Sequence, residues 1–167
     1  MAATAYEAQR NTLDILYAVY KFLNDSLFFG RLPENEVLIS LIHRAKEDTT
    51  LGWFRGRPNT MRISTPAGEI DGFVYEIGIM YNTLSFDWIT VSETLLHEMC
   101  HLSAHIFSSH TGHGEPFRDA CKKYGLLVKE TEKGWTQTSL TEESRNLISE
   151  YLSAHGYDRP LIYRKAS

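Results

Sequence analysis

The chain has 167 residues and a mass of 19.1 kDa, the size of one globular domain, and its 43% hydrophobic and 12% aromatic content excludes a disordered or fibrous polymer. Lys plus Arg number 17 against 21 Asp plus Glu, a net charge of -4, so bulk positive charge cannot hold a polyanion and any nucleic-acid contact has to be local. The two cysteines are too few for a disulfide framework or a four-cysteine zinc ribbon, which points to a reducing intracellular setting, cytoplasmic or associated with a nucleoid or nucleus.

The first ten residues lack the basic segment and apolar run of an export signal, and no run approaches the roughly 18 apolar residues of a membrane span. The expectation is a soluble chain with no membrane partner. Over residues 12–28, Leu13, Leu16, Tyr17, Tyr20, Leu23 and Leu27 recur at the spacing of an amphipathic helix, which Gly30 and Pro33 stop. Residues 36–43 alternate Val37, Ile39 and Leu41 with Leu38, Ser40 and Ile42, a strand buried on most of its surface. Short β segments are predicted around Leu51 to Phe54, over 60–64 and over 73–81, giving a small mixed sheet. A second helix is predicted over 91–107 with Thr90 and Glu93 in capping-box spacing, and Pro116 suits the first turn of a third helix ending before Gly125. Ser139 and Glu142 form another capping-box pair before a final helix that Gly156 stops. Helix, sheet and further helices make an α+β domain, with its weakest internal boundary near Lys133 and Gly134.

Histidine is the unusual entry, because five of the seven (His97, His101, His105, His110 and His113) fall in one short stretch. His97-Glu-Met-Cys-His101 is a His-Glu-x-x-His pattern. Four residues turn a helix by about 400°, so His101 returns to nearly the face of His97 and two imidazoles can grip one metal ion. Glu98 flanks that face and can take a proton from a water on the metal. A third ligand is required. His105 lies about 12 Å along the helix axis from His97, too far for bonds of about 2.0 Å to a shared ion, and reads as a packed histidine. If the helix ends near residue 108, the chain must retrace about 10 to 13 Å at about 3.3 Å per extended residue, which favours His113 over His110. Zinc suits neutral imidazoles with a fourth position open to water, and the implied chemistry is amide hydrolysis with Glu98 as the base.

The segment Leu23-Asn-x-x-x-Phe-x-Gly-x-Leu-Pro33, the stretch Leu95-Leu-His-Glu-Met-x-His101 and Gly112-His-Gly-Glu-Pro-Phe117 together resemble the SprT-like metalloproteases, the group that contains bacterial SprT and the eukaryotic Spartan protease. The resemblance covers about residues 12–126, leaves about 134–167 as a C-terminal extension of a single domain, and implies a minimal zincin-like fold. It carries over His97, His101 and His113 as zinc ligands and Glu98 as the catalytic base. It also implies that residues 75–81 form the strand beside the cleft, where a protein or peptide substrate adds as an antiparallel strand. Members acting on DNA-bound proteins commonly append a nucleic-acid-binding region, and this chain has neither the cysteines nor an obvious basic tail for one; its Glu115-Pro116 also reverses the usual order.

Other features compete for attention. Arg44, Lys46, Arg55, Arg57 and Arg62, with Trp53 and Phe54 interleaved, are capable of tracking a phosphate backbone, although a sheet core with a solvated face explains them more simply. Arg159, Arg164 and Lys165 read as solvating residues. Cys100 and Cys121 are expected in the core, Glu93 is a cap or an orienter of a ligand imidazole, and Tyr75, Tyr81 or Tyr124 is a candidate oxyanion stabiliser. The resulting expectation is a zinc endopeptidase, in which DNA is a weakly supported partner. Its rival is a metal-stabilised interaction domain with little or no proteolysis, and an open cleft beside the metal distinguishes the two.

Overall fold

A computed structural model of the chain describes residues 2, 4–42, 51–56, 64–69, 75–81, 83–85 and 87–157. It is an α+β arrangement of four helices and small sheets. Helix α1 (Ala5–Leu27) begins seven residues earlier than its apolar spacing indicates, because its first two turns face solvent and are held by a capping box between Thr4 and Glu7. Its buried face, from Leu16 through Val19 and Tyr20 to Leu23, lies in the core. The half-exposed Tyr17 ties the helix to the sheet by accepting the Ile39 N–H at 2.9 Å. After the helix, Asn24 bonds both polar groups of the Leu32 backbone, donating to the carbonyl at 2.9 Å and accepting from the N–H at 3.0 Å.

Strands β1 (Val37–Ile42), β2 (Gly52–Gly56) and β5 (Tyr75–Met80) form a mixed sheet in the order β1-β5-β2. β5 is parallel to β1 and antiparallel to β2, with Ile77 opposite both Ile39 and Phe54. A small hairpin, β3 (Ser64–Thr65) and β4 (Gly68–Glu69), stands apart from it. This order corrects the expectation for residues 75–81. β5 is the central strand, bonded on both sides and buried from Ile77 to Met80, and among the described residues β1 and β2 are the edges. Of the predicted strand over 60–64, only Ser64 falls within the described residues, as does only the part from Tyr75 onward of the segment 73–81.

A 3-10 turn (Thr83–Ser85) leads into α2 (Trp88–Ser108), the central helix, which is buried on most of its circumference from Val91 to Ala104. Its cap is Asp87, which accepts the Thr90 N–H at 2.9 Å, so the expected pairing of Thr90 with Glu93 does not form. The helix ends at Ser109, whose backbone is left-handed. α3 (Glu115–Lys123) starts at Gly114 with Pro116 in its first turn, as expected.

Next comes an element that the sequence reading did not anticipate, an antiparallel hairpin of β6 (Leu126–Thr131) and β7 (Gly134–Leu140). The weak boundary near Lys133 and Gly134 is its turn. α4 (Glu142–His155) is capped by Thr141 rather than Ser139, and Gly156 ends it in the left-handed conformation. The Tyr151 ring stacks on Phe22 of α1 with centroids 4.0 Å apart, which closes the core from the C-terminal side. Among the described residues no helix is long and apolar enough to cross a membrane.

Replacing Asn24 by Ala removes both partners of a buried backbone segment. Asn24→Ala is expected to lower stability by about 2–3 kcal/mol, measured by urea unfolding, because the Leu32 groups are left unsatisfied.

Candidate metal centre

α2 presents His97 and His101 one turn apart, and the left-handed stop at Ser109 turns the chain back so that His113 meets them. One ring nitrogen from each of the three lies within 4.8 Å of the others, a group that can hold a metal ion. The Nε2 atoms of His101 and His113 are 3.2 Å apart, and those of His113 and His97 are 3.4 Å apart. His101 is buried, while His97 and His113 are half-buried and face a cleft.

The rings rest on Phe117, which is fully buried. Its ring stacks on His101 at 4.0 Å and 19°, and meets His97 at 4.9 Å and His113 at 5.0 Å in tilted and edge-on contacts. One aromatic side chain from α3 thus floors all three imidazoles. The hairpin adds the other wall. Thr138 Oγ1 lies 2.8 Å from His97 Nδ1, and the Trp135 N–H donates to the His113 carbonyl at 2.9 Å. Gly134 makes that approach possible: its φ is +96°, and a Cβ there would stand 2.6 Å from the His113 carbonyl oxygen.

Burial pushes the His97 imidazole down to about 4, with the neighbouring His113 contributing. His101 falls further, to about 2, through burial first and then the adjacent His97, His113 and His110. Burial also lowers His113. All three are therefore neutral at pH 7, the state in which a ring nitrogen offers a lone pair. Glu98, next to His97 on α2, is only 4% exposed, and burial lifts its carboxyl to about 8. A carboxylate in this position is stabilised by a nearby cation.

The cleft has a volume of about 780 Å³. Its floor is the face of α2 that carries His97 and His101, one wall is β2 with Leu51, and the other is β7 with Lys133 and the loop at Thr111 to His113. β2 lies close to the helix because the residues it turns toward α2 include two glycines. A Cβ on Gly52 would stand 3.0 Å from Glu98 Oε1, and one on Gly56 would stand 2.6 Å from His105 Nε2.

The remaining histidines do other work. His105 packs against Phe54 and Tyr75 with centroids 5.6 and 5.9 Å apart, outside the cluster, as its axial distance from His97 requires. His110 accepts the Gly114 N–H at 3.2 Å and so braces the start of α3, instead of standing as a solvated loop residue. Glu93 accepts the Leu140 N–H at 3.0 Å and thereby fastens β7 to α2. Cys100 and Cys121 are buried free thiols of the core. None of the three candidate tyrosines lines the cleft; Tyr124 is buried and stacked on Phe28 at 4.1 Å, and Tyr75 packs on His105. Of the basic stretch, Arg55 is exposed with its guanidinium 4.6 Å above the Trp53 ring, while Arg44, Lys46, Arg57 and Arg62 lie outside the described residues, as do Arg159, Arg164 and Lys165.

Phe117 and Thr138 are the two site residues whose roles the sequence reading missed. The first was visible only as the end of a motif. The second follows the β-forming run Trp135-Thr136, whose position just after Lys133-Gly134 was a usable hairpin signal.

A family model described as SprT-like family matches residues 16–137. That span extends beyond the motifs and includes most of the hairpin, as far as Gln137. Among curated proteins and solved structures, no match reaches significance.

Phe117→Ala is expected to lower stability by about 3–5 kcal/mol in urea unfolding, since it empties the floor beneath three rings. The protonation pattern sets a pH optimum for the metal-free protein. The imidazoles have an ordinary value of 6.5 and lower folded values, so the unfolded state binds more protons and stability falls as pH drops below about 6.5. Glu98 acts oppositely: its carboxyl rises from 4.5 to about 8 on folding, so stability falls as pH climbs between those values. Three imidazoles outweigh one carboxyl on the acid side. With chelator present, thermal unfolding from about pH 4 to 9 is expected to show its maximum Tm near about pH 6.5; a Tm still rising at about pH 8 would contradict the assignment.

Proposed function

The chain belongs to the SprT-like family, and from that premise we propose that it is a zinc endopeptidase in which His97, His101 and His113 hold the metal and Glu98 is the general base. The observation that carries this reading is the spacing of the His113 Nε2 atom from those of His101 and His97. Ligand nitrogens in a tetrahedral site with Zn–N bonds of about 2.05 Å stand about 3.3 Å apart, and the separations here are 3.2 and 3.4 Å. A zinc ion in this donor set supplies a Lewis acid that polarises a peptide carbonyl and brings water within reach of deprotonation near neutral pH.

The protein groups supply the rest. The Glu98 carboxylate takes a proton from the attacking water and delivers it to the departing amine, and burial, by raising its carboxyl toward neutral pH, suits it to accept in the first transfer and donate in the second. The substrate is a protein held in extended form. Among the described residues no strand pairs with the outer edge of β2, and that edge offers main-chain hydrogen bonds to a polypeptide laid antiparallel along it, beside Glu98. A cleft of about 780 Å³ has room for a few residues on either side of the scissile bond. The rival interaction domain calls for a blocked centre, and the openness of the cleft supports the enzyme.

Glu98→Gln is expected to retain zinc while cleavage of an unfolded protein substrate falls by about 10²- to 10⁴-fold, followed by peptide release together with metal content. Proteolysis unchanged in that variant would overturn the mechanism. His113→Ala is expected to lose the metal, and full zinc retention would overturn the ligand set.

A further inference from the structure

We infer that β7 is a positioning strand for the metal centre, in which the Thr138 hydroxyl holds His97 in the tautomer that keeps its proton on Nδ1 and turns the lone pair of Nε2 toward His101 and His113. The inference rests on the proposed reading of the three histidines as ligands.

A neutral imidazole carries one N–H and one lone pair, so a partner on one nitrogen decides what the other can do. His101 is held by face-to-face stacking on Phe117, 4.0 Å apart and 19° from parallel. His97 meets the same ring at 56°, a contact that limits tilt without distinguishing the two nitrogens. The polar contact that does distinguish them is Thr138 Oγ1 at 2.8 Å from Nδ1, a hydroxyl able to accept the Nδ1 proton.

The strand itself is held in register with the helix. Glu93 Oε2 accepts the Leu140 N–H at 3.0 Å, and four residues later His97 meets Thr138, two residues back along β7. Four helical residues advance about 6.0 Å and two strand residues about 6.6 Å, so both contacts form together only with β7 running antiparallel to α2 in this register. At its other end β7 grips the loop of the third histidine, through the Trp135 N–H on the His113 carbonyl at 2.9 Å. One strand therefore orients His97 through a side chain and His113 through its backbone, while Glu93 anchors that strand to the helix that bears His97 and His101.

The test uses the full chain with Zn²⁺ as the probe. Zinc affinity is measured by chelator competition in the wild type and in Thr138→Val, Thr138→Ser and His97→Ala, and imidazole ¹⁵N resonances are recorded for the metal-free wild type. Thr138→Val, which keeps the β-branched shape and removes the hydroxyl, is expected to weaken zinc binding by about 10- to 100-fold, and Thr138→Ser to restore it. The His97 resonances are expected to show a protonated Nδ1 and a bare Nε2. Wild-type affinity in Thr138→Val alongside a loss in His97→Ala would overturn the role of Thr138 alone. Wild-type affinity in His97→Ala would overturn the ligand reading and this inference with it. A proton found on His97 Nε2 would also overturn it, and that spectrum requires no variant, so a substitution that unfolds the hairpin leaves the question decidable.

Discussion

Three imidazole nitrogens converge to within 4.8 Å of one another, with that of His113 at 3.2 and 3.4 Å from those of His101 and His97, and that convergence is the constraint on which the rest depends. Neutral rings set this close cannot all satisfy each other with protons, since each has a single N–H to give. The surroundings make protonation unfavourable as well, because burial drives the three imidazoles toward their neutral forms. A cluster of lone pairs in a poorly solvated place is stabilised by a cation. The buried Glu98 carboxyl beside it has the same need. The elements around the cluster serve to keep the rings from relaxing apart: a ring below them, a hydroxyl and a backbone N–H beside them, and a helix that packs into the core on most of its circumference.

The opposite wall follows a different logic. β2 reaches the helix by omission of side chains, with glycine at 52 and 56 where a Cβ would meet Glu98 and His105. On the other face of the sheet, Gly78 leaves room for the Trp53 ring to lie across β5, beside Ile42. The edge strand thus sits close to the helix, and among the described residues no strand pairs with its outer side. Distance between strand and helix is set by the two glycines of β2.

Much of the centre was legible in the sequence because it depends on local geometry. The return of His101 to the face of His97 follows from helical pitch, and the preference for His113 over His110 follows from the reach of a chain that has to double back. The rejection of His105 is the same arithmetic. The parts that could not be read depend on contacts between elements distant in sequence. Which strand is central and which is an edge is decided by pairing, so β5 and β2 exchanged roles. Tyr124 and Tyr75 are spent on packing, which no spacing rule discloses. The hairpin was missed because β6 is largely exposed, and its charged end and turn, with Glu130, Glu132 and Lys133, look like a solvated run until Trp135 and Thr138 are seen to reach inward.

The order of the elements along the chain has a temporal meaning. The edge strand that faces the cleft lies before α2, whereas the clustered histidines and their supports occupy one contiguous stretch from Glu93 to Leu140. A polypeptide growing from its N-terminus therefore makes the β2 side of the cleft first and the histidine cluster with its β7 support last. The three rings cannot meet until His113 has been made, and the clasp on its carbonyl waits for Trp135. A nascent chain carries β2 and its sheet before the three histidines can gather, so the metal site is the last part of the cleft to be assembled.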